Sequence, residues 1–206
     1  MEYDLNDGNG VIIEEKTIYD YIRTLMFSGG GEENDPYLIE SIVQFNLISM
    51  NPGSHYRLET DLDFQDKVFQ PIDYFYGTFD GNGYKISNIY YEEEFQTISG
   101  AVGIFRHLDI VGTKYAEIKN LVLENIYFKI SINHPLQNHG HFGIVAGYSY
   151  GIFSNITGSG TLEISAKTYS YGSIAGYSNG IIENCEVELT YINSYEGING
   201  HVERQN

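Results

Sequence analysis

The sequence predicts an all-β fold: a parallel β-helix, a solenoid of about four to five coils, with a small helical cap at its N-terminus. Three observations predict it. Short apolar runs recur at a spacing of about 30 residues, each with an asparagine in the same place. Glycine and asparagine punctuate the chain from residue 54 onward, with no long helical period between them. One stretch ahead of the repeats alternates between apolar and charged side chains, as a half-buried strand does.

The elements follow in order. TIYDYIRTLMF, residues 17–27, sets Ile18, Tyr21, Ile22, Leu25 and Met26 at helical spacing. SGGGEENDP, residues 28–36, reads as a loop. Ser41 is placed to cap a second helix over 41–50, with Ile42, Phe45 and Ile48 on one side, and NPG at 51–53 ends it. The chain thus divides into a helical cap and linker over 1–53 and a β-helix over 54–206. HYRLETDLDF, residues 55–64, places Leu58, Thr60, Leu62 and Phe64 on one face of a strand. Arg57, Glu59, Asp61 and Asp63 fall on the other. FDGNGY, residues 79–84, lacks the further ligands of a calcium loop, and its Asp-Gly and Asn-Gly pairs suit a tight turn.

Four stretches then share one pattern: ISNI at 86–89, IKNL at 118–121, FSNI at 153–156 and IENC at 182–185. Their asparagines are Asn88, Asn120, Asn155 and Asn184, at steps of 32, 35 and 29 residues. Stacked one above another, they form a hydrogen-bonded column at a turn. Ile86, Ile118, Phe153 and Ile182, with Ile89, Leu121, Ile156 and Cys185, are expected to fill the interior. VGIFR at 102–106, GIVAG at 143–147 and GSIAG at 172–176 lie upstream of three of these, and EGING at 196–200 reads as the start of another coil.

YGTFDGNGYKISNIYY at 76–91, DPYLIESIVQFNLISMNPGSHYRLETDLDF at 35–64 and the G-x-x-A-G-Y-S-x-G-x-I-x-N repeats after them resemble the GLUG-type repeat family. The resemblance spans residues 35–195. It implies a right-handed parallel β-helix of the pectate-lyase-like superfamily, a fold of bacterial surface and secreted proteins. It implies a fold and leaves activity open.

Composition narrows the function. Twenty-eight acids against 11 Lys and Arg give a formal charge of −17, which repels phosphates and argues against direct nucleic-acid binding. Cys185 is the single cysteine, so neither an intramolecular disulfide nor a cysteine zinc site can form. No apolar run approaches the length of a membrane span. MEYDLNDGNG lacks the features of a signal peptide, so the expected location is cytoplasmic if Met1 is native, and cell surface or secreted otherwise.

No catalytic constellation, metal set or cofactor motif is complete. The reading is a non-catalytic acidic interaction protein whose partner is a basic protein, itself nucleic-acid-binding. An inhibitor of the DNA-mimic or anti-CRISPR type, as phages carry, has this charge and size. The candidate contacts are Glu59, Asp61, Asp63, Asp66, Glu92, Glu93 and Glu94, with Tyr74, Tyr76, Tyr90 and Tyr91. His139 and His141 join them from HPLQNHGHFG at 134–143, read as a loop that also holds His134. The last coil, 194–206, offers an open edge for a homodimer. The alternative is a bacterial surface adhesin or carbohydrate-binding module, or a relative of the polysaccharide lyases and hydrolases.

Overall fold

The computed structural model describes residues 26–96, 99–132, 139–166, 168–193 and 201–204. Among the described residues it is all-β, with a helix of five residues, α1 (Ile42–Asn46), and a 3-10 turn at Ile48–Met50. The strands of the first part are β1 (Tyr37–Ile39), β2 (His55–Leu58), β3 (Leu62–Asp63), β4 (Ile72–Phe75), β5 (Thr78–Asp80), β6 (Lys85–Ser87) and β7 (Tyr90–Phe95). Then come β8 (Ser99–Val102), β9 (Phe105–Leu108), β10 (Ile110–Val111), β11 (Lys114–Tyr115), β12 (Glu117–Ile132), β13 (His139–Gly143) and β14 (Ala146–Ser149). The last are β15 (Ile152–Ser165), β16 (Thr168–Gly172), β17 (Ala175–Ser178), β18 (Ile181–Glu183), β19 (Glu186–Asn193) and β20 (His201–Arg204).

Three parallel sheets take up all of these strands except the antiparallel hairpin β10–β11. The largest has ten strands and runs β1-β2-β5-β12-β15-β18, with β3, β6, β7 and β19 alongside. The second is β8-β13-β16-β20 and the third is β4-β9-β14-β17. From β7 to β17 the chain visits the large, second and third sheets in that order, adding one parallel strand to each on every pass; β18 and β19 then both join the large sheet and β20 the second.

The alternation of side chains explains both the strands and their bends. Along β12 the buried residues are Ile118, Leu121, Leu123, Ile126, Phe128, Ile130 and Ile132. The step between them is two residues except where Asn120 and Asn125 intervene, and there it is three. Both asparagines have positive φ, 52° and 54°. A left-handed residue inserts one extra outward side chain and turns the strand, so the next residue faces the interior again. Asn88, Asn155 and Asn184 have the same conformation, with φ of 57°, 54° and 52°.

The side-chain amides then stack in two columns. In the first, Asn184 Nδ2 donates to Asn155 Oδ1 at 3.4 Å, Asn155 to Asn120 at 3.1 Å, and Asn120 to the Asp80 carboxylate at 2.9 Å. In the second, Asn125 donates to Asn88 at 2.8 Å and Asn88 to the Asp63 carboxylate at 2.8 Å. Asn88 therefore does not share the column of the other three expected members. Its partner is Asn125, because β6 pairs with β12 through Leu123↔Ile86. Each column ends on an aspartate, which accepts hydrogen bonds and leaves no donor unpaired. The second column stops at β12. In β15 a glycine, Gly158, with φ of 145°, stands opposite Leu123, where a Cβ would lie 2.0 Å from the Leu123 carbonyl oxygen.

The interior agrees with the expected aliphatic columns for three of four rungs. Ile86, Ile118 and Phe153, with Ile89, Leu121 and Ile156, are buried. Ile182 is 43% exposed and Cys185 is half-buried. They face the interior from the last rung, and no strand pairs with the free edge of β18 or β19 among the described residues. At the opposite end Ser41 caps α1 as expected, accepting from the Gln44 amide at 3.3 Å. Phe45 and Ile48 are fully buried, and Phe45 meets Phe64 and Phe79 edge-on. The helix is shorter than 41–50 because its second half tightens into the 3-10 turn. The stretch 55–64 forms two short strands instead of one, with Leu58, Leu62 and Phe64 inward. The sheet also begins before residue 54, since β1 pairs in parallel with β2. The helix expected at 17–27 lies, save for its last two residues, outside the described residues, as does EGING at 196–200.

Two substitutions at Asn155 separate the backbone role from the column. Asn155→Gly keeps the left-handed conformation and removes the amide, at an expected cost of about 1 kcal/mol. Asn155→Ala adds the steric penalty and is expected to cost about 1–2 kcal/mol more. Urea denaturation reads both, and equal losses would show that conformation does not matter here.

Candidate functional site

The outer face of the ten-stranded sheet carries most of the acids named from the sequence. Asp61 and Asp63 project from β3 and its approach, Glu92 and Glu94 from β7, Glu124 from β12, Glu163 from β15, and Glu186 and Glu188 from β19. Lys85 and Lys129 are the cations set among them. Lys129 reaches Glu92 at 2.8 Å across directly paired positions, and Lys85 reaches Glu124 at 2.6 Å. On the part of the sheet built by β3, β6, β7, β19 and the stretches of β12 and β15 beyond Asn120 and Asn155, eight carboxylates thus face two lysines among the described residues, while Arg57, Asp80, Glu117, Lys119 and Glu183 lie on the part before those bends.

Several of the acids have structural duties. Asp63 ends the Asn88 column and also accepts from the Gln65 amide at 3.0 Å. Those two hydrogen bonds, the Asn88 one first, hold its carboxyl below the ordinary range. Asp61 accepts from the Lys85 amide at 2.8 Å. Glu59 pairs with Arg57 at 2.7 Å beside the entry to the sheet. Asp66 occupies a turn with φ of 57° and is exposed. Glu92 is drawn down by its hydrogen bonds from Lys129 and Tyr90. Glu93 points the other way, toward the interior, and meets Arg106 at 2.8 Å. Arg106 also bonds the Tyr91 hydroxyl and the Ala101 carbonyl, so this cluster is an internal strut and not a contact surface.

The tyrosines separate in the same way. Tyr90 is exposed and stacks on Tyr127 across the rungs, centroids 5.6 Å apart. Tyr91 packs against Phe69 and Phe128, and burial pushes its hydroxyl up to about 12. Tyr76 lies against Gly53, where a Cβ would come within 2.3 Å of its ring. Tyr74 belongs to a stripe on the third sheet. It stacks on His107 at 4.9 Å, and beyond His107 come Tyr148 and Tyr177, stacked on each other at 4.6 Å. His141 meets Tyr148 and Tyr177 edge-on and bonds the Ser170 hydroxyl at 2.7 Å through Nδ1. His139 and His141 stand on β13 and not in a loop, because β8 and β16 flank that segment. His134 is outside the described residues. The stripe therefore unites Tyr74 with His141, which are distant in sequence, and separates both from Glu92 and Glu94.

One cleft was not foreseen. Glu33, His55, Arg57, Asp80, Glu117 and Lys119 line a space of about 170 Å³ at the start of the large sheet. Its cations are already paired, Arg57 with Glu59 and Lys119 with Glu117 at 2.9 Å, and its His55 meets Lys114, which lies outside the lining, at 2.8 Å. Burial first, and then Lys114, push the His55 pKa down, so the ring is neutral and able to accept from Lys114. The Glu-x-Lys and Arg-x-Glu spacings put each of those pairs on one strand face and were readable in the sequence. The Lys114–His55 contact bridges 59 residues and left no local signal. Among the described residues no group of three or more His, Cys, Asp or Glu side chains could hold a metal ion. Burial raises the Cys185 thiol above its ordinary range, which makes it a poor nucleophile.

No family model matches the chain. A segment of Halomucin from Haloquadratum walsbyi is 30% identical in an alignment 161 residues long that covers 69% of this chain and 2% of that protein. The chain thus spans about one-fiftieth of the length of that relative. Among solved structures, a candidate immunoglobulin A1 protease from Bacteroides ovatus aligns over 86% of this chain and 83% of its own, with 13% identity and a TM-score of 0.38.

The Asp63 titration reports the end of the second column. A carboxyl depressed in the fold contributes stability above its unfolded value, ordinarily 3.8, and loses that contribution as pH falls through the lower folded value. Carboxyl-carbon NMR should place Asp63 below the ordinary range in the parent. Asn88→Ala should return it toward the ordinary carboxylate range and reduce the loss of stability between neutral and acid pH. An Asp63 titration unchanged by Asn88→Ala would remove the column from the explanation.

Proposed function

We propose that this chain is a non-catalytic interaction module, built as a right-handed parallel β-helix of GLUG-type repeats, that docks a basic protein. The ordered passage through three parallel sheets, with one strand added to each per pass, supports the helical reading of the fold. The partner reading rests on one observation above the others: among the described residues, eight carboxylates against two lysines on the part of the large sheet's outer face that lies beyond the Asn120 and Asn155 bends. Fixed carboxylates on a rigid sheet present to a phosphate-reading protein much of what DNA presents, and a nucleic-acid-binding protein is the partner class this surface fits. Asp61 and Asp63 are poor candidates for general acids, since Asp63 is held ionised and both already accept hydrogen bonds. A DNA-mimic inhibitor of the anti-CRISPR kind is the specific form of this proposal.

A second reading draws on the stripe of Tyr74, His107, Tyr148 and Tyr177. An aromatic stripe with an exposed tyrosine at its end suits a sugar face. Adhesins, carbohydrate-binding modules and relatives of polysaccharide lyases or hydrolases fall under this reading.

Proteins retained by the immobilised chain from its native source, identified by mass spectrometry, separate the two. The first reading expects a basic nucleic-acid-binding protein, released as salt rises, whose DNA binding this chain inhibits. Glu92→Lys with Glu94→Lys should slow its association by about tenfold. Retention on a polysaccharide, lost in Tyr74→Ala, or cleavage of one, would establish the second reading instead.

A further inference from the structure

The two ends of the strand stack differ. At one end, Phe45 and Ile48 close the interior. At the other, Tyr171, Ile174, Ile182, Val187, Leu189 and Tyr191 line an open cleft of about 850 Å³. Its wall is firm: Tyr171 and Tyr191 stack at 4.3 Å, and the Tyr191 hydroxyl bonds that of Tyr169. Beside the cleft runs β19, eight residues long and, among the described residues, paired along its whole length with β15 only. An unpaired edge of that length, next to apolar space, is a template for another strand.

The edge also carries a charge signature. Val187, Leu189 and Tyr191 face inward, and Glu186 and Glu188 face outward. Elsewhere on the large sheet a carboxylate on one rung meets a lysine on the next, as Glu92 meets Lys129 and Glu124 meets Lys85. Glu186 and Glu188 have no such partner among the described residues, because the rung behind them presents Thr157 and Ser159. The position that would hold their lysines is the free side of β19.

From this geometry we infer that the free edge of β19 accepts a parallel strand from a protein partner whose side chains alternate basic and apolar. Its apolar residues enter the cleft against Val187, Leu189 and Tyr191. Its lysines or arginines pair with Glu186 and Glu188. The backbone supplies affinity and the alternation supplies specificity, as in other strand-addition complexes. The inference rests on the basic-partner reading above and gives that partner a recognition element.

The test uses the whole chain and an octapeptide of alternating lysine and valine, with fluorescence anisotropy as the readout. A second peptide of the same composition, with all lysines in one block, is the control. The alternating peptide should bind at least tenfold more tightly, and Glu186→Lys with Glu188→Lys should weaken it at least tenfold. Leu189→Asp, which charges the cleft, should weaken it too, while Glu92→Lys with Glu94→Lys should leave it unchanged. Equal binding of the two peptides would reduce the effect to charge alone and overturn the inference. So would a chain that sediments as a dimer disrupted by Leu189→Asp, since a second copy would then fill the edge. If the peptide fails while Glu92→Lys with Glu94→Lys still slows the protein partner, this inference falls and the proposed function stands. If the peptide behaves as expected and those outer-face variants leave partner association unchanged, the reverse holds.

Discussion

The structure depends on asparagine in the left-handed conformation. Each such residue inserts one outward side chain, turns a strand and lets the next apolar residue face inward. The amide it exposes then meets the amide one rung away. Conformation and hydrogen bonding therefore act together: the bend places the amides in line, and the line fixes which bend sits above which. A parallel sheet without that lock slips readily by two residues, since a slip of two keeps every side chain on its face. The amide columns remove that freedom. Aspartate at the head of each column closes it without an orphan donor.

Charge on the large sheet follows from the same register. With rungs fixed, lysine and glutamate meet across strands, as at Lys129 and Glu92. Exposed pairs of that kind add little stability. What they change is the surface left over, where acids outnumber cations and occupy fixed positions. Some of those acids, Asp63 above all, hold the fold and face solvent at once. A substitution there would alter both stability and charge, so Glu92 and Glu94 report more cleanly on binding than Asp63 does.

Much of this was legible in the sequence. Asn120, Asn155 and Asn184 align by eye, and their shared apolar neighbours fix which side is interior. The second column was not. LENI at 123–126 carries the same pattern as ISNI, but it follows IKNL by five residues and falls inside one repeat. A period of one asparagine per repeat therefore assigned Asn88 to the wrong stack. Strand register was the missing quantity, and a single sequence does not carry it. The same gap explains the candidate site. Glu93 reads as one of three acids in a row, yet strand alternation turns it inward to Arg106. Tyr74 and His141 look unrelated until the third sheet lines Tyr74 up with Tyr148 and Tyr177, which His141 meets from the second sheet. Ile182 and Cys185 fit the interior pattern and face inward, but burial needs a further rung, which pattern alone does not supply.

Disulfide trapping across β6 and β12 tests the register most directly. In a Cys185→Ser background, Lys85→Cys with Val122→Cys joins positions that pair directly in the structure, within reach of a disulfide. Lys85→Cys with Glu117→Cys would pair instead if Asn88 stood beside Asn120. Under mild oxidation the account predicts rapid cross-linking of the first pair and none of the second. Cross-linking of the second pair in place of the first would contradict it.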